Sequence, residues 1–76
     1  MKPTVPEVLP EFRAYHSQNP VWGSLHCVLD DGNFENSAVE WCRDYAIERG
    51  DADGAALAET LMRMSRTQRR KLAAIA

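Results

Sequence analysis

The sequence predicts a compact all-α bundle of four to five short helices. Three observations predict this fold class: apolar residues recur at three- and four-residue spacings, helix-capping residues recur along the chain, and the later helices are joined by one or two residues. The 76 residues are enough for one small domain. Because a domain of this size buries only about 60% of its unfolded surface, we expect an efficient core or association with another copy to stabilise it.

The N-terminal region predicts an extended segment followed by the start of the helical domain. Residues 1–9 contain two prolines, which lack an amide proton and fix φ, so we predict an extended segment there, or at most a frayed first helical turn. Pro10 suits the first position of a helix that ends at Ser17. The single helical domain is therefore predicted over residues 10–76.

A second helix is predicted between Asn19 and Gly32. Asn19 is a favoured N-cap, a proline follows it at the first helical position, and Gly32 stands where a left-handed C-cap is needed. A strand is the alternative over residues 21–34, because apolar residues also alternate there and an Asp-Gly turn follows. We favour the helix because no periodic β-branched segment follows the turn to supply a partner strand.

Three helices are predicted in the second half of the chain. The first begins at a capping box formed by Ser37 and Glu40 and ends at Gly50, and the aspartate that follows caps the next helix. A second capping box, Ser65 with Gln68, opens the last helix. The side chains that we expect to face the core are Ala38, Val39, Cys42, Tyr45 and Ala46, then Leu57, Ala58, Leu61 and Met64, and finally Leu72 and Ile75.

Charge is distributed unevenly along the chain. The formal net charge is −2, yet all eleven acidic residues lie within residues 1–62, whereas residues 63–76 contain five basic residues and none that is acidic. We expect the arginines of the last helix to point mostly outward, where they could neutralise phosphates. A solvated helix face is the simpler interpretation, and the acidic body would repel a polyanion. The basic row consists of Arg63, Arg66, Arg69, Arg70 and Lys71.

The remaining features favour protein–protein contact as the function. Trp41 lies beside the core-facing stripe of its helix, so we expect it to be partly exposed, and tryptophan is frequent at binding hot spots. Glu40, Asp44 and Glu48 give the same helix an acidic side. The alternative role for Trp41 is to close the edge of the core, and self-association as a homodimer fits the same residues.

We therefore predict a non-catalytic accessory or regulatory protein that binds another protein or a second copy of itself through Trp41, Glu40, Asp44 and Glu48. The alternative is a small nucleic-acid-binding module that uses the basic row.

Neither a catalytic site nor a metal site is predicted, and we expect no cofactor. The two histidines and two cysteines lack the paired spacing of zinc ligands, and no phosphate-binding loop or dinucleotide motif is present. Cys27 and Cys42 both lie among apolar residues, so we expect reduced, buried thiols. No apolar run reaches the roughly 18 residues of a membrane span, and Met1 to Pro10 lack a signal-peptide core, which predicts a cytoplasmic protein without membrane contact.

Four stretches of the sequence resemble small uncharacterised proteins encoded by bacteriophages and prophages. They are residues 19–26 (Asn-Pro-Val-Trp-Gly-Ser-Leu-His), 28–33 (Val-Leu-Asp-Asp-Gly-Asn), 49–51 (Arg-Gly-Asp) and 64–72 (Met-Ser-Arg-Thr-Gln-Arg-Arg-Lys-Leu). The family has no established catalytic or binding residues to carry over. The resemblance implies a protein that acts stoichiometrically, as a binder or inhibitor of a host enzyme, a regulator or a defence complex.

Overall fold

The computed structural model describes residues 2–18 and 35–75, and these residues form four helices. The helices are α1 (Val5–Gln18), α2 (Asn36–Arg49), α3 (Ala52–Arg63) and α4 (Arg66–Ile75). No strand occurs in these two ranges, which confirms the all-α fold class for the described part of the chain. The Cα radius of gyration is 10.9 Å, close to the roughly 11 Å expected of a compact domain of 76 residues.

The predictions made for residues 19–34 lie outside the described residues. They comprise the helix between Asn19 and Gly32, its strand alternative and the burial of Cys27. Within the described residues, no helix is both long enough and apolar enough to cross a lipid bilayer.

The prediction of extended backbone is wrong over residues 5–9, because α1 begins at Val5, five residues before Pro10. Thr4 caps the helix: its carbonyl accepts the N–H of Glu7 at 3.1 Å, and its hydroxyl donates to the Glu7 carboxylate at 3.0 Å. Pro6 lies in the first turn, where an amide has no intrahelical partner to lose. The helical domain therefore starts at the beginning of α1.

Burial of one face stabilises α1 despite the proline in its interior. Pro10 removes one intrahelical hydrogen bond, and a proline at such a position costs about 3 kcal/mol or more. Each fully buried large apolar side chain contributes about 1.5–3 kcal/mol, so several of them offset that cost. The buried side chains of α1 are Val5, Val8, Phe12 and Tyr15, and α1 packs against α3 and α4.

The joint between α2 and α3 is confirmed at both of its residues. Gly50 adopts the left-handed conformation (φ 75°, ψ 20°) and donates its N–H to the Ile47 carbonyl at 3.1 Å. The N–H of Asp51 donates to the Ala46 carbonyl at 2.8 Å, which completes a Schellman motif. The Asp51 carboxylate then accepts the N–H of Gly54 at 3.0 Å and so caps α3. The chain turns back over two residues, and α2 packs against α3.

Asp51 also connects this joint to α1. While one carboxylate oxygen caps α3, the other accepts the hydroxyl of Tyr15 at 2.7 Å. The Tyr15 side chain is buried, and this partly buried hydrogen bond gives its hydroxyl a partner.

The predicted capping box at Ser37 and Glu40 is wrong, because α2 begins at Asn36. Glu35 occupies the N-cap position with extended backbone (φ −68°, ψ 153°), and its side chain makes no capping hydrogen bond. The side chains of Glu35 and Asn36 bind arginines of α4 instead. The side chains at the start of α2 thus contact α4 and do not form a local helix cap.

The capping box at the start of α4 is confirmed in one half only. The Ser65 hydroxyl accepts the N–H of Gln68 at 3.2 Å, as predicted. The Gln68 side chain does not reach back to Ser65, since its amide oxygen accepts the N–H of Val5 at 3.0 Å. Gln68 therefore satisfies one of the unpaired amides at the start of α1 and joins the two ends of the described chain.

The core confirms most of the predicted inward-facing residues and corrects two of them. Tyr45 is 38% exposed and Ile75 is 51% exposed, so both predictions are wrong. At 100° per residue, each lies about a quarter turn or more from the centre of the buried side of its helix. Ala38 is partly buried, and Cys42 is buried as a thiol. The core cluster comprises Val5, Val8, Phe12, Tyr15, Val39, Cys42, Leu57, Ala58, Leu61, Met64 and Leu72.

The contrast between Leu72 and Ile75 on α4 gives a stability prediction. We expect Leu72→Ala to lower the free energy of unfolding by about 2–5 kcal/mol, because it leaves a cavity in the core. Ile75→Ala is the matched control and is expected to change that free energy by at most about 0.5 kcal/mol. Urea unfolding followed by circular dichroism measures both. Equal losses for the two variants would contradict this placement of the α4 core face.

Candidate functional site

Trp41 stands on the outer side of α2, as predicted, with 54% of its surface exposed. Its indole stacks on the Tyr45 ring, with 5.2 Å between the ring centroids and 13° between the ring planes. The guanidinium carbon of Arg49 lies 5.2 Å from the centroid of the same tyrosine ring. Because Trp41 is one turn before Tyr45 and Arg49 one turn after it, the three side chains form a column along the helix, which we call the aromatic stack.

A row of carboxylates runs beside the aromatic stack. Glu40, Asp44 and Glu48 are spaced four residues apart on α2 and are all exposed. Asp44 forms an ion pair with Arg43 at 3.1 Å, whereas Glu40 and Glu48 form none with the other described residues. Glu48 is the member of the carboxylate row that lies nearest to the Tyr45 ring, because it is three residues after Tyr45 on the helix. We call this surface the α2 face (Glu40, Trp41, Asp44, Tyr45 and Glu48).

Packing against α3 determines which side of α2 is left outside. Val39, Cys42 and Ala46 are fully buried, and they occupy the opposite side of the helix from Glu40 and Glu48. The structure therefore brings together the four protein-binding residues that the sequence predicted, and it adds Tyr45. The sequence analysis missed Tyr45 because it placed that ring in the core.

The basic row does not form one outward-facing patch, and its prediction is wrong at Arg69. Only 3% of Arg69 is exposed. Its guanidinium group donates to the Met64 carbonyl at 3.1 and 3.3 Å and to the side-chain oxygen of Asn36. Burial is the main cause that lowers the pKa of Arg69, and the charge of Arg66 lowers it further.

Two further members of the basic row bind one carboxylate. Arg66 and Arg70 both pair with the same oxygen of Glu35, Arg70 at a distance of 3.3 Å. The hydrogen bond from Arg66 is the largest cause of a lowered Glu35 pKa, and the positive charges of both arginines act in the same direction, although desolvation opposes them. No sequence pattern indicated these pairs, because Glu35 is 31 and 35 residues away from its partners.

The last two members of the basic row lie on different helices. Arg63 is in the last turn of α3 and donates to the Thr60 hydroxyl at 3.2 Å, and Lys71 is exposed on α4. The five cations of the row therefore have three different environments: buried, paired with Glu35, and exposed without an ion pair to a described residue. Separately, no group of three or more metal-ligating side chains comes together within residues 2–18 and 35–75.

Comparison with known proteins gives no relative from which a function could be transferred. The chain matches no protein-family model, no curated protein and no solved structure at a significant level. The resemblance to phage and prophage proteins stays a prediction, and the candidate site rests on its own geometry.

The contribution of the buried Arg69 to stability can be compared with that of its exposed neighbour Arg70. We expect Arg69→Met, which keeps an aliphatic stem, to lower the free energy of unfolding by about 1–3 kcal/mol, because the Met64 carbonyl loses its donors. Arg70→Met is the control and is expected to cost at most about 1 kcal/mol, since its ion pair is exposed. Chemical denaturation of both variants is the measurement. A larger loss for Arg70→Met would show that Arg69 is not the anchor of α4.

The ion pairs of Glu35 predict a specific pH dependence of stability. Because the folded chain lowers the pKa of Glu35 below its ordinary value of 4.5, the ionised group stabilises the fold above that pH, and this contribution is lost as the pH falls through the lowered pKa. We expect the wild-type chain to lose more stability than Glu35→Gln between about pH 6 and pH 3. Glu59→Gln, at an exposed carboxylate of α3, should follow the wild-type curve. Parallel curves for the wild type and Glu35→Gln, measured by thermal unfolding, would contradict the role of the pairs.

Proposed function

We propose that this protein is a non-catalytic accessory protein that acts in the cytoplasm by binding a positively charged surface of another protein through the α2 face. The observation that carries the proposal is the exposed stack of Trp41 on Tyr45 beside a row of carboxylates. The resemblance to small phage and prophage proteins supplies the biological setting, a stoichiometric binder or inhibitor of a host or defence protein.

The aromatic stack supports the proposal through the area that it offers for binding. Covering the exposed half of an indole removes roughly 100 Å² or more of largely apolar surface from water, which contributes about 3 kcal/mol. The rings of Trp41 and Tyr45 already pack against each other, so a partner needs to order them less than two isolated side chains. Such rigid aromatic groups are typical anchors of protein interfaces.

The carboxylate row supports a basic partner rather than a second copy of the chain. Glu40 and Glu48 have no ion-pair partner among the described residues, and complementary charge on another protein would both attract it and orient it. A dimer formed by two α2 faces would instead bring two rows of like charge together, which is unfavourable.

The structure gives no specific support to the alternative, a nucleic-acid-binding module that uses the basic row. A phosphate backbone would have to compete with Glu35 for Arg66 and Arg70, and Arg69 is occupied inside the fold. The acidic side chains of residues 1–62 would also repel it.

The proposal predicts that binding depends on Trp41 and not on every exposed apolar residue of α2. The chain is expressed in cells as bait, and the protein that it captures is identified and purified. The affinity of that protein is then measured for the wild-type chain and for each variant. We expect Trp41→Ala to weaken its affinity at least about tenfold. Ile47→Ala is the matched control, since Ile47 is 61% exposed on α2 but is rotated about 120° from Trp41, and it should change the affinity less than about twofold.

Two outcomes would overturn the proposal. The first is a captured protein that binds Trp41→Ala as tightly as the wild type. The second is micromolar binding of duplex or single-stranded DNA that weakens steeply with salt and is lost on Arg66→Ala with Arg70→Ala, which would establish the nucleic-acid alternative.

A further inference from the structure

We infer that the α2 face binds an α-helix of its partner, and that this helix carries a row of apolar side chains beside a row of basic ones. The apolar row packs on Trp41 and Tyr45, and the basic row faces Glu40 and Glu48. This inference rests on the proposed function and specifies which structural element the partner presents to the same surface.

Two neighbouring rows of exposed side chains on α2 supply the first observation. One row is Glu40, Asp44 and Glu48, and the other contains Trp41 and Tyr45. Side chains four residues apart form a ridge on a helix and repeat about every 6 Å along its axis. The ridges are adjacent, because Asp44 follows Trp41 by three residues and Glu48 follows Tyr45 by three. A groove between two such ridges is the feature into which a second helix places a ridge of its own.

The aromatic ridge accepts apolar side chains and excludes cations at its C-terminal end. Trp41 and Tyr45 are exposed and stack on each other, so they present one continuous apolar surface. The next residue of the same row is Arg49, whose guanidinium group lies over the Tyr45 ring. Its positive charge disfavours a basic side chain at that end of the ridge. The basic residues of the partner therefore belong on the other ridge.

The carboxylate ridge has two positions that are available for cations. Asp44 is paired with Arg43, whereas Glu40 and Glu48 form no ion pair with a described residue. These two carboxylates are eight residues apart, which is about 12 Å along the helix axis. Two basic side chains eight residues apart on a partner helix have the same separation, so both pairs can form at once.

A helix fits the two ridges better than an extended segment does. All side chains on one face of a single strand form one row, because successive residues point to opposite sides. An extended segment would therefore cover either the aromatic ridge or the carboxylate ridge. A helix presents adjacent rows of side chains on one side and can cover both ridges together.

Three labelled peptides test the inference on the full chain. The row peptide is an alanine-based helix of about 20 residues, with leucines four residues apart and a row of lysines on each side of them, so that it fits in either direction. The reordered peptide has the same composition and helix content but no rows. The proline peptide replaces two alanines on the far side of the row peptide, which disrupts its helix and keeps every leucine and lysine.

Fluorescence anisotropy in about 50 mM salt measures the three affinities, and circular dichroism checks the helix content of each peptide. We expect the row peptide to bind at least about fivefold more tightly than either of the other two. Equal binding of the reordered peptide, equal binding of the proline peptide, or no binding of the row peptide at about 1 mM would each overturn the inference.

Charge variants locate the peptide on the α2 face. The double variant Glu40→Gln with Glu48→Gln should weaken binding of the row peptide at least about threefold. The matched control is Glu11→Gln with Glu59→Gln, which removes two exposed carboxylates from α1 and α3 and should weaken it less. Equal effects of the two double variants would mean that only the overall charge attracts the peptide, and the inference would be wrong.

The apolar row is tested in the same way. Trp41→Ala should weaken binding of the row peptide at least about threefold, whereas Ile47→Ala, at an exposed apolar residue away from the aromatic ridge, should change it less than about twofold. Unchanged binding to Trp41→Ala would contradict the placement of the partner's apolar row.

Failure of this inference can be distinguished from failure of the proposed function. If the row and reordered peptides bind equally but Trp41→Ala still loses the captured protein, the helix inference is wrong and the proposed function stands. If Trp41→Ala keeps the captured protein, the proposed function is wrong whatever the peptides do.

Discussion

The two-residue joint at Gly50 and Asp51 is the constraint from which the rest of the described structure follows. Gly50 takes a left-handed conformation that few other residues adopt at low cost, and the chain reverses there without a loop. Because α2 must then pack directly on α3, the side of α2 that carries Val39, Cys42 and Ala46 is buried. The opposite side of α2 is left exposed, and it carries the residues of the α2 face. The same joint also holds α1, since the Asp51 carboxylate accepts the Tyr15 hydroxyl.

The positive charge at the end of the chain stabilises the bundle more than it shapes a binding surface. Arg69 connects the end of α3 to the start of α2, and Arg66 and Arg70 hold the residue just before α2. Three of the five cations of the basic row thus attach α4 to α2. What composition alone suggested as a patch for polyanions is in large part an internal set of contacts, which leaves the α2 face as the stronger candidate site.

The features that were predictable from the sequence are those whose partners are close along the chain. The caps at Gly50, Asp51 and Ser65 close within five residues, and the exposure of Trp41 follows from its angle on one helix. The features that were missed depend on partners far away: Glu35 with two arginines of α4, and Gln68 with the first amide of α1, which is 63 residues distant. Tyr45 and Ile75 were misplaced because the edge of an apolar stripe is set by where the neighbouring helix lies.

Exposure of the aromatic stack links binding to stability. A domain of 76 residues has little apolar surface to spare, yet two of the four aromatic residues in the described ranges, Trp41 and Tyr45, lie outside the core. The stacking of Trp41 on Tyr45 removes part of their apolar ring surface from water. The rest of that surface is removed from water only when a partner covers it. A partner that binds the folded chain alone therefore stabilises it by an amount that grows with the partner's concentration relative to its dissociation constant. In a small domain, binding at the α2 face therefore raises the free energy of unfolding, and a more stable fold in turn presents the α2 face to more of the partner.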